Sequence, residues 1–131
     1  PETNLNALAL DVERKLQNKV LRVVGKPDLA VKQVAFLPGA AGSARQIQAL
    51  ERPGVEVLMI GETPEWETVE YVSDAVSQGR PKALLILGHI QSEQAGMEEC
   101  VRWLHGFMSS IRIEFVAARE PFWLPMVNTQ H

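Results

Sequence analysis

The sequence predicts an α/β fold in which a mainly parallel sheet carries helices on its faces. Short apolar runs alternate along the chain with amphipathic segments of helical length. Two of the runs, 55–60 and 83–87, are almost wholly apolar, as expected for strands that are buried on both sides. Strands that alternate with helices in this way are typical of parallel sheets built with right-handed crossovers.

Composition limits the classes of protein that the chain can be. Its 131 residues are 46% hydrophobic and 22% charged, so we expect residues 1–131 to form one α/β domain with a sizeable core. The net charge of -3 and the scattered basic residues argue against nucleic-acid binding. A lone cysteine, Cys100, cannot form an internal disulfide, and we see neither a signal peptide nor a membrane-spanning run. We therefore expect a cytoplasmic protein without membrane contact.

The first third of the chain predicts one helix and two strands. Apolar residues recur at helical spacing over 4–20, and Asn4 is suited to cap the helix. A brief strand suited to a sheet edge follows at 21–24, and a second strand is expected at 31–37. Because the chain opens at Pro1 and not at methionine, we expect a processed product or a piece of a longer protein.

The middle third predicts two further helices around the strand 55–60. The spacing of Ser43 and Gln46 predicts a capping box for a helix that ends near 53–54. After the strand, Thr63 is expected to cap a helix with Pro64 at its first position. The apolar stripe expected to be buried on this helix comprises Trp66, Val69, Val72 or Ser73, and Val76.

The last third begins with the apolar strand 83–87, which Gly88 ends. Ser92 is expected to cap a helix over 93–109, and a final strand is expected at 111–117. Residues 119–131 read as an irregular apolar tail. On the helix, one apolar face is expected from Met97, Val101, Leu104 and Met108, with Cys100 and Phe107 beside them.

Three loops should share the carboxyl edge of the sheet, where α/β proteins bind ligands. These are 38–43, 61–64 and 88–92. The first could hold an anion on its exposed amides, but it lacks the lysine of a P-loop and the glycines of a dinucleotide fingerprint, which favours a tight turn. In the second loop Glu62 could be a general base or a ligand at the strand end, or simply an acid favoured near a helix start, and the sequence favours neither interpretation.

The third loop carries the clearest chemistry, because His89 and Glu93 lie four positions apart. An imidazole and a carboxylate suit a divalent ion such as zinc, iron or manganese. The alternative is a loop histidine and a first-turn glutamate, which the spacing alone favours. His105 reads as a surface or boundary residue, and Cys100 as a small buried hydrophobe without a basic neighbour to activate it.

Several segments in order resemble the Nif-three-like family, whose members are often labelled GTP cyclohydrolase type 2 homologues. The segments are VKQVAFLPGAAGS from Val31, VEVLMIGE from Val55, GHIQSE from Gly88 and EFVAAREPF from Glu114, with LRVVG from Leu21 as the lead-in. Their order and spacing match the carboxyl-terminal half of the family across most of the chain.

This resemblance implies a metal-binding α/β fold with two metal ions per subunit and a ring-like homo-oligomer. It assigns metal ligands to His89 and Glu93 and matches Glu62 to an acidic position after a strand-end glycine, although the histidines that commonly follow are replaced here. The family's other ligands, adjacent histidines and an aspartate, come from an amino-terminal half that this sequence lacks.

The activity implied is metal-assisted hydrolysis of a nucleotide, with a carboxylate such as Glu62 moving protons. The alternative is a non-catalytic interaction or regulatory domain. This alternative is suggested by the apolar stretch 121–127, which is too short to form a core and could pack on a neighbouring subunit or partner.

Overall fold

The computed structural model of the protein describes residues 3–125 and has a four-stranded mixed sheet at its centre. The strands of this sheet are β2 (Arg22–Val24), β4 (Val34–Leu37), β5 (Val57–Ile60) and β6 (Ala83–Ile86). They stand in the order β2-β6-β5-β4, and β4, β5 and β6 are parallel. The prediction of a mainly parallel α/β sheet is therefore confirmed, while β2 pairs antiparallel with β6 at one edge.

Helices cover both faces of this sheet. Helix α1 (Leu5–Leu16) packs on one face, where Leu5 meets Val57 and Leu85. Helices α2 (Ser43–Leu50) and α3 (Glu70–Ser77) cover the other face, with Leu50 and Val72 in its core. A π-helical turn (Glu65–Val69) leads into α3, and α4 (His89–His105) follows β6. None of the helices in residues 3–125 combines the length and apolarity needed to cross a bilayer.

Helix α1 begins as predicted and ends earlier. The Asn4 side chain accepts a hydrogen bond from the Ala7 amide at 2.9 Å, which confirms the cap. The helix ends at Leu16 and not at Val20, because Gln17 adopts a left-handed conformation with φ 51° and ψ 36°.

The predicted strand 31–37 is divided in two. Its start belongs to β3 (Ala30–Val31), which pairs with β1 (Thr3–Asn4) outside the main sheet. The amides of Lys32 and Gln33 then donate to a carboxylate oxygen of Glu56, at 3.1 and 2.8 Å. These amides cannot also join the strand ladder, so pairing in the main sheet resumes at β4.

The caps predicted for the two helices in the middle of the chain are wrong. Gly42, at φ 82°, takes the cap position of α2, and Ser43 and Gln46 both lie inside the helix. Pro64 takes the cap position predicted for Thr63. The helix then opens as a π-turn, whose wider repeat buries Thr68 and leaves Trp66 76% exposed, contrary to the predicted stripe.

Helix α4 starts four residues earlier than predicted and ends at His105. Gly88, at φ 90°, occupies the cap position, and the Ser92 amide donates to its carbonyl at 3.1 Å, so Ser92 is not the cap. The predicted apolar face is incompletely covered: no residue of α4 is fully buried, and Cys100 is only half-buried.

The final predicted strand, 111–117, is absent from the described part of the chain. Instead, Phe115 and Val116 line a groove of about 290 Å³ with Met97 and Val101 of α4. Ladder hydrogen bonds form only between paired strands, and neither sheet of residues 3–125 includes this segment. Residues 119–125 are irregular, as predicted, and the rest of the tail, with Met126, Val127 and His131, lies outside the described residues.

Candidate functional site

The three loops at the carboxyl edge of the sheet are joined by backbone hydrogen bonds. The Glu62 amide donates to the Gly39 carbonyl at 3.1 Å, and the Gly88 amide donates to the Gly61 carbonyl at 2.9 Å. The Gly39 amide donates to Ser92 Oγ, also at 2.9 Å, which ties the first loop to α4. The predicted convergence of the loops is therefore present, and it brings Glu62, His89 and Glu93 into contact.

His89 lies between the two carboxylates. Its Nδ1 is 3.3 Å from Glu62 Oε1, and its Nε2 is 3.2 Å from Glu93 Oε2. All three side chains are about half exposed, at 45%, 56% and 46% for His89, Glu62 and Glu93. A ligand from solvent can therefore reach both sides of the imidazole.

These contacts change the proton affinity of His89. The hydrogen bond to Glu62 is the largest cause that raises its pKa above the ordinary value, and the Glu93 charge acts in the same direction. Partial loss of solvent opposes them. In the absence of a metal ion, His89 therefore keeps its proton to a higher pH than a free histidine does.

Glycines make room for this contact. A Cβ on Gly39 would lie 2.3 Å from Glu93 Oε1 and 3.3 Å from His89 Nε2. A Cβ on Gly61 would lie 2.5 Å from the Gly39 carbonyl oxygen. The first loop can approach α4 and the second loop this closely only because both positions lack a side chain.

A buried polar chain holds the backbone of Glu62. Gln46 is fully buried on α2, and its Nε2 donates to the Glu62 carbonyl at 2.9 Å. Its Oε1 accepts from Thr68 Oγ1 at 2.7 Å, and Thr63 Oγ1 donates to Thr68 Oγ1 at 2.9 Å. The sequence predicted a capping box of Ser43 and Gln46, and no local pattern indicated that Gln46 contacts the Glu62 backbone.

The donor geometry fits part of a divalent metal site. Two ligand atoms at about 2.1 Å from one ion lie about 3.0–3.4 Å apart at octahedral to tetrahedral angles, and His89 Nε2 and Glu93 Oε2 are 3.2 Å apart. Glu62 faces the other ring nitrogen, and within residues 3–125 no three His, Cys, Asp or Glu side chains are arranged around one ion. His89 and Glu93 thus fit as two ligands of a larger set.

The other candidate residues lie away from this site. His105 is the last residue of α4, about 24 Å along the helix axis from His89. Cys100 also belongs to this helix, beyond its second turn. Neither residue was predicted to act as a ligand.

A cleft of about 710 Å³ adjoins the site. Its floor includes Gly61, Ile86 and Gly88, and its walls come from the connection after α1 and from residues 120–124. Both Glu62 and His89 line it. The sequence did not indicate this cleft, because its walls are brought together only by the fold.

Comparison with known families gives one clear match. The family model described as Duf34/NIF3 (NGG1p interacting factor 3) matches residues 1–121 of the chain. No functionally curated protein matches the chain.

Several solved structures share the fold. One is Staphylococcus aureus protein SA1388, which matches with a TM-score of 0.71 and 20% identity over 95% of this chain and 39% of SA1388. A Bacillus cereus protein related to NIF3 matches with a TM-score of 0.67 and 21% identity over 95% of this chain and 34% of that one. Protein ybgI, of unknown function, matches with a TM-score of 0.72 and 23% identity, and the match covers 93% of this chain and 46% of ybgI. The chain spans less than half the length of each, and the likeness at these identities is one of fold.

Proposed function

Because the chain belongs to the Duf34/NIF3 family, we propose that it contributes His89 and Glu93 to a divalent metal site at the carboxyl edge of the sheet. The observation that carries the proposal is the contact of His89 Nε2 with Glu93 Oε2 at 3.2 Å, because the two atoms of this ion pair are also close enough together to bind one ion. Zinc, iron and manganese all accept this pair of ligands.

Glu62 supports the proposal from the other side of the ring. A histidine that binds a metal through one nitrogen usually donates the N–H of the other nitrogen to a carboxylate, which fixes the tautomer and the ring orientation. Glu62 Oε1 faces Nδ1 at 3.3 Å, so it accepts that hydrogen bond and leaves Nε2 free to bind. Its second carboxylate oxygen remains available to take a proton from water, the catalytic role expected from the sequence.

The reaction class that we propose is metal-dependent hydrolysis of a nucleotide in the cytoplasm, of the GTP cyclohydrolase type that the resemblance seen in the sequence implies. A divalent ion at such a site supplies two things, a lowered pKa of water and stabilisation of negative charge on an attacked carbon or phosphorus. The remaining ligands would come from outside residues 3–125, because two side chains do not complete a coordination sphere.

The test is the affinity of the purified chain for Zn²⁺, Fe²⁺ and Mn²⁺, measured by titration calorimetry and by metal content. His89→Ala and Glu93→Ala should each reduce the affinity at least tenfold, since each removes one of two ligands. His105→Ala is the matched control, because it removes an exposed histidine at the far end of the same helix. Equal affinities in all four proteins would refute the site.

A second candidate function, a protein-interaction domain, is favoured by exposed aromatic side chains. Phe122 and Trp123 are 74% and 77% exposed, and Trp103 on α4 is 64% exposed. Large exposed apolar side chains that lie together on a surface mark protein contacts, and the rings of Trp103 and Phe107 meet edge to face with their centroids 4.8 Å apart. These exposed side chains would serve a homo-oligomer or a partner protein.

Solution mass tests this second candidate. If the aromatic side chains form a subunit interface, Trp123→Ser combined with Trp103→Ser should reduce the mass measured by light scattering. Trp66→Ser, which removes an equally exposed tryptophan from the π-helical turn, should leave it unchanged. A mass that is the same in every variant would count against self-association through this surface.

A further inference from the structure

We propose that Ser92 is a positioning residue of the candidate metal site. Its hydroxyl does not bind the ion; it holds the backbone of His89 and the loop that borders Glu93 in the arrangement that accepts a metal. The inference deepens the proposed function and rests on it, because it concerns the same ligands. Its structural part, the bond between Ser92 and the first loop, is measured separately in the metal-free chain.

The Ser92 hydroxyl joins two backbone groups of the site. The Gly39 amide can only donate, so Ser92 Oγ accepts a hydrogen bond from it, at 2.9 Å. The His89 carbonyl can only accept, so the single hydrogen of the hydroxyl is donated to it, at 2.7 Å. Any effect of Ser92 on a metal ion therefore passes through these two groups.

The cap of α4 cannot make such a link. Gly88 occupies the cap position and has no side chain with which to hold a loop. Ser92 lies one turn into the helix, and its bond to a carbonyl three residues earlier is a common local pattern for serine. The bond to Gly39 is different, because it joins α4 to a loop 53 residues away in sequence.

Gly39 extends the effect of Ser92 to both carboxylates. A Cβ on Gly39 would lie 2.3 Å from Glu93 Oε1 and 3.3 Å from His89 Nε2, so this loop borders both proposed ligands. The Gly39 carbonyl accepts from the Glu62 amide at 3.1 Å. By holding the Gly39 amide, Ser92 therefore fixes the border of the ligand pair and, through it, the backbone of Glu62.

The second loop also packs against the Ser92 hydroxyl. A Cβ on Gly61 would lie 2.6 Å from Ser92 Oγ. The hydroxyl thus lies where all three loops of the carboxyl edge meet, next to Gly39, Gly61 and His89. Groups that orient metal ligands in this way typically change metal affinity by about 10–100-fold when they are removed.

The experiment measures Mn²⁺ affinity by titration calorimetry in the wild type and in three variants. Ser92→Ala should weaken binding about tenfold, because the ligands remain but lose their orientation. Ser92→Thr should restore most of the affinity, because the Oγ1 of a helical threonine can bond the carbonyl three residues earlier. Ser77→Ala is the matched control: Ser77 Oγ donates to the Ser73 carbonyl at 3.0 Å on α3, and its loss should not affect the metal.

Hydrogen exchange of the Gly39 amide in the metal-free chain tests the bond itself. Ser92→Ala removes the acceptor of this amide, so its exchange should become faster than in the wild type. Ser92→Thr and Ser77→Ala should exchange at this amide like the wild type. Unchanged exchange in Ser92→Ala would contradict the link between α4 and the first loop.

The wild-type affinity separates failure of the metal site from failure of the inference. A wild-type chain without measurable Mn²⁺ affinity would refute the site, and the role of Ser92 with it. If the wild type binds and Ser92→Ala binds equally well, the site stands and the positioning role is refuted. A loss of stability in denaturant without a loss of metal affinity would make Ser92 a structural residue only. An equal loss of affinity in Ser92→Thr would show that the hydroxyl is not the group responsible.

Discussion

At the scale of single residues, the site is organised around the two ring nitrogens of His89, each of which lies next to a carboxylate. The sequence predicted that His89 and Glu93 meet where a strand leads into a helix, but it placed His89 in the loop; in the structure both lie on α4, where positions four apart are neighbours. The contact between His89 and Glu62 could not be predicted from their spacing in the sequence. It depends on the loops of two strands meeting at one edge, and on two glycines that let them approach.

The pKa of His89 gives the first prediction. Because Glu62 and Glu93 raise it, the charged form contributes stability below the unfolded pKa, and this contribution is lost as pH rises through the higher folded pKa. In the metal-free chain, NMR titration should find the His89 midpoint above the ordinary value. Glu62→Gln should lower that midpoint, and an unchanged midpoint would contradict the contact.

Gly39 gives the second prediction. Gly39→Ala places a methyl group 2.3 Å from Glu93 Oε1 and imposes a side chain at φ 62°. The left-handed backbone should cost about 1 kcal/mol of unfolding free energy, and the displaced carboxylate should weaken metal binding. Denaturant unfolding and metal titration measure the two effects. Gly96→Ala, at a helical position with open space around it, should show neither.

At the scale of secondary-structure elements, α2 and the Glu62 loop form one unit. Gln46 is buried and joins the loop backbone to Thr68 of the π-helical turn. Sequence reasoning located both helices, because their apolar spacing is clear, but it misassigned their first turns. Ser43 and Thr63 are good cap residues, and the choice of Gly42 and Pro64 instead reflects tertiary contacts that a local pattern does not contain.

Removal of this link gives the third prediction. Gln46→Leu keeps the size of the side chain but leaves the Glu62 carbonyl and the Thr68 hydroxyl without their partner, so it should cost about 1–3 kcal/mol of unfolding free energy. Denaturant unfolding measures this loss. Gln48→Leu, at an exposed position of the same helix, should change stability by less than about 0.5 kcal/mol. Similar stabilities for the two variants would contradict a structural role for the network.

At the scale of the whole molecule, the parallel core of the sheet was predictable from the sequence, but the direction of its edge strand β2 was not. Strands β5 and β6 are wholly or almost wholly apolar, so their central place follows from hydrophobicity alone. Strand β2 was recognised as an edge strand, but its antiparallel direction depends on how the chain crosses the sheet. The segment 111–117 has the residues of a strand but belongs to neither sheet of residues 3–125, because strand formation depends on pairing and burial that a local pattern does not contain.

The central claim, a metal site on His89 and Glu93, is tested most directly by locating a bound paramagnetic ion. Addition of Mn²⁺ to the labelled chain should broaden the amide signals of Gly39, Glu62 and the first turn of α4, with an effect that declines along α4 toward His105. Broadening should disappear in the His89→Ala, Glu93→Ala double variant. Broadening centred elsewhere, such as on Glu98 and Glu99, or unchanged in that variant, would contradict the site.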